Sequence, residues 1–149
     1  MNLQTVQIQR LHTTAKLPER KTIDAAGYDV FACCADKDIV IQPSQVQLVP
    51  TGIAVAIPKN FHIEVRPRSG LSSRHKLLMP NAPGTVDADY RGEIFVPLLN
   101  LAERDFVVNH HMRIAQLLLR ETWTISWQNV EELSVTERGS SGFGSTGTH

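Results

Sequence analysis

The sequence predicts an all-β fold, an antiparallel sandwich or barrel carrying one short helix. Three observations predict it: the dominant hydrophobic period is two, the apolar runs are short, and turn residues separate them. A strand sends successive side chains to opposite faces, so an alternating run has one face for a core. Many such runs at close spacing suit an antiparallel all-β architecture.

The elements follow in order. "TVQIQRL" alternates Val6 and Ile8 with polar neighbours. "AAGYDVFACCAD" passes from a turn at Ala26–Gly27 into a strand, with Asp29 just inside it. "VQLV" alternates at Val46 and Leu48, "GIAVAI" at Ile53, Val55 and Ile57, and "FHIEV" at Phe61, Ile63 and Val65. "SGLSSRHKLL" predicts the helix, with Ser69 or Ser72 as cap and Leu71, Leu77 and Leu78 as its apolar residues. "EIFVPLL", "DFVV" and "TWTISW" return to alternation, and Trp123 and Trp127 read as packing residues. "RIAQLLLRE" satisfies either period; its neighbours are strands, so it reads as a strand. Turn chemistry lies at Gln42–Ser44, Pro50–Gly52, Pro58–Asn60 and Pro80–Gly84. Pro50, Pro67 and Pro97 suit strand ends, bulges or edges.

The chain has 149 residues, 42% of them hydrophobic and 20% charged, the profile of one globular domain. Its formal net charge is zero, which argues against a broad electrostatic grip on nucleic acid. A small anion held by a few arginines stays open. No apolar run reaches the length of a membrane span, and "MNLQTVQIQR" has no apolar leader core. Cys33 and Cys34 are adjacent, a poor geometry for a disulfide, and their free state suits a reducing, cytoplasmic setting. His110–His111 reads as a surface turn, with no third ligand to suggest zinc.

Four segments carry chemistry. "NAPGTVDADYRGEI" joins a turn at Pro83–Gly84 to Asp87, Asp89, Tyr90 and Arg91. It is either a polar hairpin or a site; Asp87, flanked by Val86 and Ala88, is then a candidate general base in a partly apolar pocket. "RPRSGLSS" sets Arg68 before Ser69–Gly70 at a helix start, an ordinary capped helix or a phosphate site. Asp29 is a solvated strand-edge charge or a carboxylate holding a hydrated Mg²⁺. Gln116 puts an amide in an apolar run, satisfied by backbone or by a ligand. The tail from Glu137 is rich in Gly, Ser and Thr, yet holds Arg138 and Phe143.

Taken in order, "AGYD", "PRSGLS", "N…PGTVDADYRG", "RIAQL" and "RGSSGFGSTG" resemble the five motifs of the homotrimeric deoxyuridine triphosphate nucleotidohydrolases. The resemblance runs from about Ala25 to Thr148. It implies a jelly-roll-like β-barrel over residues 1–135. It also implies a flexible C-terminal arm, residues 136–149, closing over a neighbouring active site in a homotrimer whose sites are shared. The implied reaction is dUTP + H₂O → dUMP + pyrophosphate with Mg²⁺. It would limit uracil incorporation into DNA and supply dUMP for dTMP synthesis. By the same resemblance Asp87 activates the attacking water. Asn81, Gly84 and Val86 frame the uracil, Tyr90 packs on the deoxyribose and excludes a 2′-hydroxyl, and Arg68, Ser69, Gly70 and Gln116 hold phosphates. Asp29 meets the metal through water. From the arm, Arg138 would reach the γ-phosphate and Phe143 would stack on uracil, with Gly144 and Ser145 beside the phosphates.

The sequence departs from the family at His111 and Met112, where Gly-Asp is usual, and at Ser141, which replaces a glycine. Two rivals remain. The related deoxycytidine triphosphate deaminases share the fold but need a catalytic glutamate and another base pocket; here the hairpin reads "DADYRG", and no "P-C-x-x-C" is present. A nucleotide-binding regulatory module without catalysis is the other.

Overall fold

The computed structural model describes residues 3–140. Its strands are β1 (Gln7–Arg10), β2 (Tyr28–Phe31), β3 (Ile39–Ile41), β4 (Val46–Pro50), β5 (Ile53–Ala56) and β6 (Phe61–Pro67), then β7 (Leu77–Leu78), β8 (Gly84–Val86), β9 (Phe95–Asn100), β10 (Phe106–Val108) and β11 (Arg113–Glu121). One helix, α1 (Ser69–His75), lies between β6 and β7. The all-β class with a single short helix is as expected. A closed barrel is not: among the described residues the strands form separate antiparallel sheets, ordered β2-β11-β6-β8, β4-β9-β7, β1-β5 and β10-β3. Most strands are too short for one ladder to run unbroken around the core, β7 being only two residues long.

The sheets share one apolar core, centred on residues such as Val30, Ile53, Val96 and Ile114, each fully buried. Alternation reads correctly in β6, where Ile63 and Val65 are buried, and in β9, where Val96, Leu98 and Asn100 are. It misreads β4. Val46 and Leu48 are 47% and 63% exposed, while Val49 is fully buried opposite Val96. "VQLV" has apolar residues on both faces, and a one-residue choice of face inverts the whole strand. The buried Asn100 amide is fully engaged, donating to the Ile41 and Arg104 carbonyls (both 2.8 Å) and accepting from the Ala102 N–H (2.9 Å).

The helix starts one residue differently from the expectation. Arg68, in extended conformation, occupies the cap position, and no side chain caps it. Neither Ser69 nor Ser72 takes that role; the Ser72 hydroxyl instead turns back toward the Arg68 carbonyl (3.4 Å). Lys76 ends the helix in the left-handed region, and Leu77 and Leu78 leave it to form β7. β11 confirms the strand reading of "RIAQLLLRE".

The largest departure is "TWTISW", which forms no strand. Trp123 and Trp127 are 81% and 88% exposed, so they do not pack within this chain. Leu133 and Val135 are also exposed. The alternation is that of a pairable strand, but among the described residues only Thr122 meets a neighbouring edge, its N–H donating to the Asn60 carbonyl (2.7 Å).

The departure at His111 has a structural counterpart. His111 has φ 64°, the left-handed conformation that a glycine adopts without cost. Its N–H donates to the Ala32 carbonyl (2.9 Å) and its Nε2 to the Thr14 carbonyl (2.7 Å). The side chain thus ties down the N-terminal segment, which a glycine could not do. Its ring stacks on His110 at 3.7 Å between centroids. His110 Nδ1 accepts the Cys34 N–H (3.0 Å), which requires an unprotonated nitrogen. Burial, then the neighbouring His111, His12 and Lys16, push the His110 pKa down, with Asp36 opposing. Its stabilisation is therefore complete above the ordinary histidine value of about 6.5 and is lost as pH falls through the lower folded value. Between about pH 7.5 and about pH 5.5, melts of the wild-type chain should lose more midpoint than those of His110→Gln. Equal losses would remove His110 from the acid response.

Candidate active site

The sheet β2-β11-β6-β8 carries four of the residues singled out from the sequence, Asp29, Gln116, Gly84 and Val86. Gln116 on β11 lies opposite Asp29 on β2, and Arg68 follows directly on β6. Asp29 is only 4% exposed. Its Oδ1 accepts from Arg68 Nε (3.2 Å) and Gln116 Nε2 (3.4 Å), and its Oδ2 from Arg113 Nη1 (3.0 Å). Arg68 Nη1 also reaches the Arg113 carbonyl (3.4 Å). A buried carboxylate is costly unless paired, and here two guanidiniums pair it. One negative and two positive charges leave this cluster net cationic, with both guanidiniums partly exposed.

Asp29 is therefore neither a solvated edge charge nor a carboxylate with idle oxygens. It fixes the direction of Arg68 and Gln116. Sequence reasoning gave Arg113 and Gly27 no role of their own, although they stand inside the motifs "RIAQL" and "AGYD". A Cβ on Gly27 would stand 3.2 Å from the Gln116 Cβ and 3.4 Å from its Oε1, so the glycine lets the amide lie close.

Ser69 and Gly70 begin α1 and are exposed. The Ser69 and Gly70 N–H groups, at the first two helical positions, have no acceptor within the helix, and they directly follow Arg68 of the cationic cluster. A Cβ on Gly70 would meet nothing within 4 Å, so the space there is open.

A second group sits on the hairpin beyond β6. β8 pairs Val86 with Ile63 and Gly84 with Val65, burying both Gly84 and Val86. The Asn81 amide lies over Gly84, its Nδ2 3.1 Å from where a Cβ would stand. The Ala82–Pro83 peptide is cis. Asp87 opens the following turn, its carbonyl accepting the Tyr90 N–H (3.2 Å). Both Asp87 and Asp89 are exposed, so no apolar pocket surrounds Asp87 within one chain. The Tyr90 hydroxyl donates to the Glu93 carbonyl (2.9 Å). Arg91 braces the turn by donating to the Ala88 and Tyr90 carbonyls (2.7 and 2.8 Å).

A cleft of about 230 Å³, lined by Arg66, Pro67, Ala82 and Pro83, adjoins both groups. No hydrogen bond or ion pair among the described residues joins Asp87 to the Asp29 cluster. No set of three His, Cys, Asp or Glu side chains among them could hold a metal. Arg138 is exposed near the end of the described chain. Phe143, Gly144 and Ser145 lie outside the described residues.

A net cationic cluster and, on the hairpin beyond β6, an exposed carboxylate are chemistry suited to binding and cleaving an anionic substrate. Comparison with known proteins makes the class particular. Residues 13–147 match the dUTPase family model. The chain is 54% identical over 141 residues to the deoxyuridine 5′-triphosphate nucleotidohydrolase of Leptospira interrogans serovar copenhageni, covering 94% of this chain and 97% of that protein. It is 47% identical over 148 residues to the enzyme of the same name from Rickettsia akari, covering 99% of each. Among solved structures, the dUTPase of Staphylococcus bacteriophage 80alpha with dUPNHPP superposes with a TM-score of 0.87 at 29% identity, over 98% of this chain and 100% of that one. A mutant dUTPase of phage phi11 of S. aureus, described for its coordination of a structural Mg(II) ion, gives 0.77 at 26% identity, over 87% and 98%. The chain belongs to the dUTPase family, and it is an enzyme, a dUTP diphosphatase.

Proposed function

We propose that the chain cleaves dUTP between its α- and β-phosphates, with water attacking the α-phosphorus and Asp87 taking the water's proton. The observation that carries this reading is the Asp29 cluster, which fixes Arg68 and Gln116 together in a net cationic group. Arg68, Ser69, Gly70 and Gln116 hold the phosphate chain. Asn81 and the backbone of Gly84 and Val86 read the uracil edge. A site built for the uracil donor–acceptor pattern leaves buried groups unpaired with cytosine. Tyr90 packs on the sugar.

Mg²⁺ fits this site as a companion of the triphosphate, because Mg²⁺ keeps several waters and takes few carboxylates. Asp29 is engaged by three donors, so its reach to the metal is at most through water. Bound there, the ion supplies neutralisation of the phosphate charge. Every proton-handling role falls to this chain's own residues.

We read the working form as a jelly-roll-like homotrimer with shared sites. Two observations support it: the alternating pattern at "TWTISW", which forms no strand, and the exposed Trp123 and Trp127. The arm from Thr136 onward then brings Arg138 to the γ-phosphate, and Phe143, with Gly144 and Ser145, over the nucleotide of a neighbour. The unpaired Cys33 and Cys34 support a cytoplasmic setting.

Pyrophosphate release with Mg²⁺ tests the reading. Turnover is expected with dUTP and not with UTP or dCTP; ammonia from dCTP, or tight dUTP binding without turnover, would overturn it. Truncation after Val135 should leave assembly intact while turnover falls by at least about 10²-fold. Full activity in the truncated chain would strip the arm of its role.

A further inference from the structure

We infer that Gly92 determines the selection between deoxyribo- and ribonucleotide by seating the Tyr90 ring, an inference that rests on the reading of Tyr90 as the sugar-packing surface. A Cβ on Gly92 would lie 2.4 Å from the Tyr90 hydroxyl oxygen, 2.6 Å from Cζ and 3.1 Å from Cε2. No side chain fits there while the ring stays. The ring therefore lies directly across a residue that has no side chain.

The glycine is not needed for its backbone. Among the described glycines only Gly52 and Gly139 have positive φ, so no left-handed backbone demands a glycine at residue 92. What the position demands is room for one ring. The rest of the ring's surroundings are fixed. Its hydroxyl donates to the Glu93 carbonyl (2.9 Å), and Arg91 holds the Tyr90 carbonyl (2.8 Å). Glu93 is itself anchored, its Oε1 accepting the Gly52 N–H (2.7 Å), while the next residue, Ile94, donates its N–H to the Ile53 carbonyl (3.0 Å). With backbone and hydroxyl acceptor both pinned, the ring's own torsions are the remaining freedom, and Gly92 selects among them.

A methyl group at this position displaces the ring and leaves the hairpin in place. All three clashing atoms belong to the Tyr90 side chain, which is 45% exposed and can swing into solvent. The three atoms nearest to the added Cβ are all Tyr90's, none from Asp87, Asn81 or the Asp29 cluster, so water activation and phosphate binding are expected to persist. A ring that has moved no longer fills the space beside the sugar 2′ carbon.

Gly92→Ala, assayed against dUTP and UTP, tests this. The ratio of kcat/KM for dUTP over UTP should fall by about 10- to 100-fold, through a gain on UTP, with kcat on dUTP little changed. Tyr90→Ala is run beside it. If Tyr90→Ala keeps full discrimination, the sugar-packing reading of Tyr90 fails. If Tyr90→Ala loses discrimination and Gly92→Ala keeps it, the role of Gly92 fails while that reading stands. Thermal melts complete the test: an unfolded Gly92→Ala would show that the backbone, not the ring, gives way, and would also overturn the inference.

Discussion

Asp87→Asn should lower kcat on dUTP by about 10²–10⁴ while KM stays close to that of the unmodified enzyme. The carboxamide keeps the shape of the side chain and loses its ability to take a proton. The turn that presents it should survive, because the Tyr90 N–H bonds to the backbone carbonyl of residue 87 and not to its side chain. Arg91 braces the same turn from Ala88 and Tyr90. Steady-state kinetics with a parallel melting curve would measure both halves. A kcat within a small factor of the original would show that another group receives the proton.

Asp29→Asn should act on stability and on substrate binding together. The neutral amide no longer compensates two guanidiniums, and one of the two acceptor oxygens shared by Arg68, Arg113 and Gln116 becomes an NH2 donor that faces a guanidinium or the Gln116 amide. Breaking a fully buried pair costs about 3–5 kcal/mol; both partners here are partly exposed, so about 2–3 kcal/mol is expected from denaturant midpoints. KM for dUTP should rise as Arg68 loses its direction. Were Asp29 chiefly a partner of metal-bound water, stability would hold and excess Mg²⁺ would restore activity. The two outcomes are distinct in a single titration.

The general class of the fold was plain in the residues because strands such as β6 and β9 alternate cleanly and sit half-buried, the case in which period and burial coincide. β4 was ambiguous because apolar residues occupy both of its faces. Motif order supplied a roster of site residues but not their grouping. Asp29 looked like an edge charge because its partners stand 39, 84 and 87 positions away, a distance that only the β2-β11-β6 pairing closes. Gly92 carried no local signal either, since what its missing side chain makes room for is a ring two residues back. "TWTISW" exposes the opposite limit. Its pattern says that it can pair, and pattern alone is silent on whether the partner edge belongs to the same chain.

The position of that stretch has an optical consequence. The chain has two tryptophans, Trp123 and Trp127, and both lie there, 81% and 88% exposed. The β core holds none, so indole emission from this protein is a gauge of one short segment and is blind to the rest of the fold. A shift to the blue records the covering of that segment, whatever covers it, and unfolding of the core by itself leaves no tryptophan signal to follow.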